Sequence, residues 1–224
     1  MKKIIVLILL SQLSLAQINT ELIKKNITEN PQQNFYSLLD IFRSSPDQLS
    51  QEQLNQLYYG SKFIEVDYSI GDYNRESGTF WKAARKKLSK AKAEKMRNEA
   101  ELRYMKNPLN KNLLDDMINI YSSLNENQKV DLCLLQKALI NQTIEKSGDG
   151  KSKETAICVL TPGEVMQYLD KLIQSGPRDE FSQKMKPLED GSILTMYKIG
   201  ERQIFVKMVG GYFLEATSKY IINK

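Results

Sequence analysis

Apolar residues recur at helical spacing over most of the first 146 residues. The clearest set is Phe35, Leu38, Leu39 and Phe42, which occupies positions i, i+3, i+4 and i+7 and therefore lies on one face of a helix. Prolines and capping residues, including a Ser50/Gln53 capping box, divide this region into separate elements. Three helices are predicted here, over about residues 19–30, 35–45 and 50–61.

Three more helices are predicted in the middle of the chain, after a glycine-containing loop at residues 67–79. They cover about Phe80–Met105, the segment that follows Asn107-Pro108 and the segment that follows Asn125 to Asn127. Short loops between consecutive helices predict antiparallel helical hairpins of tetratricopeptide-like architecture. The sequence does not contain the consensus of that repeat, so the prediction concerns architecture alone.

The periodicity changes at Ser147, where a turn-rich segment begins. The segments that follow are predicted to be a strand at Thr155–Thr161, a helix at Val165–Leu172, an edge strand at Phe181–Pro187 and two strands at Ser192–Ile199 and Gln203–Val209. Asp190-Gly191 is a hairpin signal. The predicted fold class is α+β: N-terminal antiparallel helical hairpins (residues 17–146) followed by a small antiparallel sheet with one helix (147–224) packed on them.

The first sixteen residues have the order of a secretory signal peptide. Lys2 and Lys3 precede an apolar run at residues 4–10, and Ser14-Leu15-Ala16 supplies the small residues of a cleavage site. The apolar run is too short to span a bilayer. We therefore predict cleavage after Ala16 and export to the periplasm or the extracellular medium, with no transmembrane span in the mature chain.

Composition excludes several kinds of chemistry. The chain has no histidine, which removes Ser-His-Asp triads, Cys-His dyads and imidazole metal sites. Without Lys2 and Lys3 the formal charge of +5 falls to +3, too little to indicate nucleic acid as a partner. No catalytic residue, metal site or cofactor is predicted, and any acid–base chemistry would use carboxylates, lysine or tyrosine.

Aromatic and basic residues cluster before and within the predicted helix at 80–105. They could bind a glycan or an anionic surface. The alternative is that the tyrosines belong to the core and the lysines to a solvated helix face. The candidate binding residues are Tyr58, Tyr59, Tyr68, Tyr73, Trp81, Lys86, Lys87 and Lys90.

The turn-rich segment after Ser147 resembles a phosphate-binding loop only superficially, because Glu145 stands where that motif requires glycine and the chain then enters a strand. We interpret the segment as a structural seam between helices and sheet. It also contains the polar cluster on which a hydrolase without histidine would depend. The residues concerned are Gly148, Asp149, Gly150, Lys151, Ser152 and Glu154.

The two cysteines, Cys133 and Cys158, both lie within apolar stretches. In an oxidising compartment they could pair and close a loop of about 25 residues. The alternative is two buried free thiols.

Three stretches together resemble an exported family of Bacteroidota, domain-of-unknown-function family 4919. They are Leu57-Tyr58-Tyr59-Gly60, Asn107-Pro108-Leu109-Asn110 and the segment from Ser147 to Ala156. The resemblance covers nearly all of the mature chain and implies a cell-envelope protein of a Gram-negative bacterium. The family has no known activity, so the resemblance implies no catalytic or cofactor-binding residue.

Three functional hypotheses follow from these patterns. The first is a non-catalytic protein-binding module of the cell envelope, because stacked helical hairpins present grooves suited to peptides. The second is glycan or anionic-surface binding through the tyrosines and the basic helix, and the third is the hydrolase without histidine. An envelope protein or a glycan is therefore the expected partner.

Overall fold

The first helices of the chain lie where the sequence predicts them. A computed structural model describes residues 18–64, 86–173 and 181–210. Asn19 caps the first helix, because its Oδ1 accepts the N–H of Leu22 at 3.0 Å. The predicted Ser50/Gln53 capping box forms in both directions. The elements are α1 (Thr20–Glu29), a π-helical turn (Gln32–Tyr36) leading into α2 (Ser37–Ser44), and α3 (Gln51–Gly60).

The long basic helix begins later than its composition suggests. Helix α4 covers Lys90–Lys106, whereas the prediction of about Phe80–Met105 included residues 86–89, which are not helical; residues 80–85 of that prediction lie outside the described residues. Ser89 has extended backbone (ψ 155°) and its hydroxyl accepts the Lys92 N–H, so it caps the helix and ends any helical path towards residue 86. The predicted loop at residues 67–79 and the predicted signal peptide lie outside the described residues.

The next two helices complete a set of hairpins. Helix α5 (Lys111–Leu124) is capped by Asn110, and the left-handed Asn125 (φ 61°) separates it from α6 (Asn127–Glu145). Helix α4 packs on α5, α5 packs on α6, and α6 also contacts α3. Because short loops join these consecutive neighbours, they run antiparallel.

The C-terminal part contains the predicted sheet with one helix against it. Its elements are β1 (Ile157–Val159), α7 (Pro162–Ile173), β2 (Phe181–Pro187), β3 (Ile193–Ile199) and β4 (Arg202–Met208). The strand order is β1-β4-β3-β2, which confirms β2 as an edge strand. Gly191 adopts φ 76° in the hairpin between β2 and β3, as the Asp190-Gly191 signal predicted.

The sheet is mixed, whereas the sequence predicted an antiparallel one. Strands β2, β3 and β4 are antiparallel neighbours, but β1 pairs with β4 in parallel, with Ile157 opposite Val206. The reason is that α7 and the β2–β3 hairpin intervene between β1 and β4, so β1 joins the sheet beside a strand that is distant in sequence. The prediction of an α+β fold is otherwise confirmed.

One hydrophobic cluster extends from the helices into the sheet. Its members include fully buried residues of both parts, such as Phe42, Leu57, Leu114, Ile144 and Val159. This continuity means that the sheet and α7 are held against the helices by buried apolar area. Within the described parts of the chain, every helix is too short or too polar to cross a membrane.

Candidate functional site

Strand β2 is the most exposed element of the sheet. All seven of its residues are exposed, and among the described strands it pairs with β3 alone. Pro187 ends the strand, which fits an edge position because proline has no N–H to contribute to a ladder. The outer edge of β2 therefore presents backbone groups that the described residues leave unpaired.

Helix α7 leaves a groove beside this strand. It packs on β1, β4 and β3, and an open groove lies between the helix and β2. The resulting groove has a volume of about 330 Å³. Its walls include three side chains from α7 and three from the sheet, namely Val165, Met166, Leu169, Phe181, Gln183 and Tyr197.

Large apolar side chains in and near the groove are exposed to solvent. Met166 is 50% exposed, Phe181 43% and Met185 49%. The Phe181 ring stacks on Tyr197, with ring centroids 6.2 Å apart. Exposed large apolar side chains beside a groove are typical of a surface that binds another molecule, and thioether side chains adapt their shape to a partner.

A buried carboxylate holds the beginning of α7 in place. Glu164 is 6% exposed; its Oε1 accepts the Tyr58 hydroxyl, and its Oε2 accepts the N–H groups of Leu160 (2.9 Å) and Thr161 (3.1 Å). Burial, followed by the charge of Glu164, raises the pKa of Tyr58 well above its ordinary value. The phenol therefore stays protonated and donates its hydrogen bond to the carboxylate.

A buried lysine ties the same helix to the hairpins. Lys111 is 8% exposed, and its Nζ donates to Asn141 Oδ1 at 3.1 Å and to Gln167 Oε1 at 3.0 Å. Burial lowers the pKa of Lys111, and the charge of Glu164 opposes that effect. Because its acceptors lie on α6 and α7, Lys111 fixes the orientation of the helix that forms one wall of the groove.

The segment after Ser147 is an internally bonded turn. Asp149 Oδ1 accepts the Thr155 hydroxyl (2.6 Å) and the Lys151 N–H (3.0 Å), and these bonds lower the pKa of Asp149 to about 2. Ser152 likewise bonds to Thr155. The side chains of the hypothetical hydrolase cluster do not line the groove. Two of them, Asp149 and Ser152, form hydrogen bonds within the turn.

Both glycines of this turn are required by their surroundings. Gly148 lies so close to the carbonyl oxygens of Thr155 and Ala156 that a Cβ would clash with backbone. Gly150 has φ 69°, and it pairs with Thr155 and with Phe205 of β4 through its backbone. These contacts lead the chain from α6 into the sheet.

The tyrosine pair of α3 belongs to the core. Tyr58 is 3% exposed and Tyr59 is fully buried, with its hydroxyl donating to Cys158 O at 3.0 Å. The hypothesis that these two rings face a glycan is therefore corrected: β1 and α7 cover them. Their role is to join α3 to the beginning of α7 and to β1.

The other candidate binding residues are only partly described. Tyr68, Tyr73 and Trp81 lie outside the described residues. Lys86 and Lys87 are exposed in the segment before α4, and Lys90 is exposed at the first position of that helix. Farther along that helix, Arg97 pairs with Glu94 and Arg103 pairs with Glu99, so glutamates balance part of its positive charge.

The two cysteines are free thiols in the structure, both buried. Burial raises the pKa of Cys133 to about 12 and that of Cys158 to about 11. Of the two alternatives, the structure thus describes buried thiols rather than a disulfide. Within residues 18–64, 86–173 and 181–210, no cluster of three histidine, cysteine or acidic residues could hold a metal ion.

Sequence reasoning identified the elements of the groove but missed the groove itself. Strand β2 separates its large apolar side chains from its lysines, with Phe181 and Met185 on one face and Lys184 and Lys186 on the other. That alternation, in an edge strand that ends in proline, was the available signal. It did not show which helix would stand beside the strand.

Comparisons with known proteins identify the family of the chain. The family described as Domain of unknown function (DUF4919) matches residues 21–184, which is well over half of the chain. No curated protein and no solved structure matches the chain. The chain therefore belongs to the DUF4919 family, whose function is unknown.

Proposed function

We propose that this chain is an exported, non-catalytic module that binds a protein partner in the groove between α7 and β2. The observation that carries the proposal is the exposure of Met166 and Phe181 in the groove wall and of Met185 farther along β2, each between 43% and 50%. Burying three such side chains against a partner would contribute several kcal/mol to binding, at about 25 cal/mol per Å². The polar contacts of Glu164 and Lys111 support the proposal because they hold the helix wall in position.

The two alternatives have less support. Binding of a glycan or an anionic surface through the tyrosines cannot use Tyr58 and Tyr59, because both side chains are buried in the core. A hydrolase built on the seam would need side chains that face a common cavity, whereas Asp149 and Ser152 bond within their own turn. The groove between α7 and β2, in contrast, supports protein binding and has no role in either alternative.

Crosslinking tests the groove directly in cells of the source organism. A photoreactive phenylalanine analogue is placed at residue 166, at residue 181 and, as a control, at the exposed Glu52 of α3. We expect the first two positions to crosslink the same protein and the control position not to do so. Equal crosslinking from all three positions would contradict the proposal.

A charge placed in the groove supplies a matched comparison. Met166→Glu is expected to lower the crosslinking yield from residue 181 about tenfold, because an unpaired carboxylate would be buried under the partner. Leu102→Glu makes the same kind of change at a 67% exposed position on α4 and should leave the yield unchanged. If the two variants lower the crosslinking yield equally, the groove is not the docking surface.

Export is a separate expectation with its own measurement. If residues 1–16 are a signal peptide, mass spectrometry of the protein isolated from the cell envelope should find Gln17 as the first residue. Replacing the apolar Leu7 and Leu9 with aspartate should leave the full-length precursor in the cytoplasm. Recovery of intact Met1 from envelope material would overturn this part of the proposal.

A further inference from the structure

We propose that the partner is an extended segment with alternating apolar and acidic side chains, which adds to the sheet as a fifth strand along β2. The inference rests on the proposed function and names the class of ligand that the groove takes. It is carried by three features of β2: an outer backbone edge that no described strand pairs with, the division of its side chains between two faces, and its charge.

The backbone groups of alternate β2 residues point away from the sheet. The Leu188 N–H donates to Ser192 O at 2.8 Å, next to the register pair Pro187 and Ile193. Since hydrogen-bonded and non-bonded pairs alternate in an antiparallel ladder, Phe181, Gln183 and Met185 direct their N–H and C=O groups outward. These groups are spaced as an incoming strand requires.

The side chains of β2 divide by chemistry between the two faces. Phe181 and Gln183 line the groove beside α7, and Met185 lies on the same face because side chains alternate. Lys184 and Lys186 lie on the opposite face. An added strand places its own side chains alternately on these two faces, so one set enters the groove and the other meets the lysines.

The opposite face of β2 carries positive charge, which none of the acidic residues that the structure describes pairs with. Lys198 of β3 lies opposite Ser182 and is exposed, which places a third lysine on this face, diagonal to Lys184. Among the described residues, these three lysines form no ion pair. Carboxylates at alternate positions of the incoming strand would pair with them, and pairs of opposite charge stabilise neighbouring strands.

The same lysines disfavour a second copy of this chain as the occupant. When two β2 strands pair antiparallel about an axis normal to the sheet at residue 184 or 185, Lys184 lies opposite Lys184 or Lys186 of the other copy. Like charges in directly opposed positions destabilise a strand pair. The edge is thus protected against self-association and remains complementary to an acidic strand.

Two synthetic peptides test the charge of the ligand. One alternates valine and glutamate over eight residues, the other alternates valine and lysine, and fluorescence anisotropy measures the binding of each to the whole protein. We expect the Val–Glu peptide to bind about tenfold more tightly at low salt. The Lys184→Glu, Lys186→Glu double variant, whose exposed positions leave the fold intact, should reverse that preference.

A third peptide tests strand addition itself. It is the Val–Glu peptide methylated on alternate backbone nitrogens, which removes the donors of one edge, and its binding should be lost. Equal binding of all three peptides, no response to the double variant, or no binding of the Val–Glu peptide would overturn the inference. The proposed function would survive each of these results, because the crosslinks from residues 166 and 181 depend on neither the charge nor the backbone of the partner.

Discussion

Replacing Asp190 with alanine is expected to lower the free energy of unfolding by about 3–5 kcal/mol at pH 7, since it leaves a buried ammonium without its partner. Lys207 Nζ lies 2.8 Å from Asp190 Oδ2, and the two side chains are only 7% and 15% exposed. Thr20 also donates to this carboxylate, at 2.9 Å. The pair therefore connects the beginning of α1 to the hairpins of the sheet. Chemical denaturation of both proteins measures the difference.

The effect should also depend on pH. Burial by itself would raise the pKa of Asp190, but the bonds from Lys207, the Ser192 N–H and Thr20 outweigh burial and lower it to about 2. Because the unfolded chain has a higher value, near 3.9, the stabilisation is present above that value and is lost as the pH falls through about 2. The difference between wild type and Asp190→Asn should therefore shrink between about pH 4 and pH 2.

Two further variants identify the cause of that loss. Lys207→Met alone should also destabilise the protein, and the Asp190→Ala, Lys207→Met double variant should lose much less than the sum of the single changes. Glu189→Ala alters the exposed neighbour and should change stability by no more than about 0.5 kcal/mol. Additive effects of the two single changes would show that the ion pair is not the source.

Replacing Glu164 with alanine is expected to cost about 3 kcal/mol of folding free energy, because it removes the acceptor of three hydrogen bonds in a buried position. Two of the donors are the N–H groups of Leu160 and Thr161, and the third is the Tyr58 hydroxyl. Since these bonds hold the beginning of α7, the variant should also weaken binding in the groove. Thermal unfolding and peptide anisotropy measure the two effects.

The controls for this change are conservative. Glu164→Gln keeps an oxygen acceptor and should cost less than alanine, and Tyr58→Phe removes one bond and should cost about 1 kcal/mol. Glu52→Ala changes an exposed acidic residue in the first turn of α3 and should be close to neutral. If Glu164→Ala is no more harmful than Glu52→Ala, then the carboxylate does not anchor α7.

Local signals explain why most helices could be predicted. Asn19, the Ser50/Gln53 box and Asn110 act on backbone groups within three residues of themselves, so their effect is visible in the sequence. The hairpin at Gly191 is local in the same way. The beginning of α4 was misplaced because helix-forming alanine and lysine residues lie on both sides of Ser89, and composition did not reveal the cap.

Long-range contacts decided the roles of the candidate residues. Tyr58 and Glu164 are 106 residues apart in the chain, and Tyr59 and Cys158 are 99 apart. No periodicity within α3 indicates which distant element will cover its two tyrosines. The same holds for Lys207. Its sequence context does not show that its side chain is buried and paired with Asp190, which also accepts a hydrogen bond from Thr20.

The sequence by itself determined the order of helices and strands, the edge position of β2, the turn at the seam and the family. These depend on side-chain pattern, capping and backbone freedom, which act over a few residues. Only the tertiary structure decided that β1 joins β4 in parallel, that Tyr58 and Tyr59 are buried, and that a groove lies between α7 and β2. The groove exists because the position of α7 on the sheet is set by the apolar area that it buries there. That area depends on the packing of the whole core and not on any local pattern.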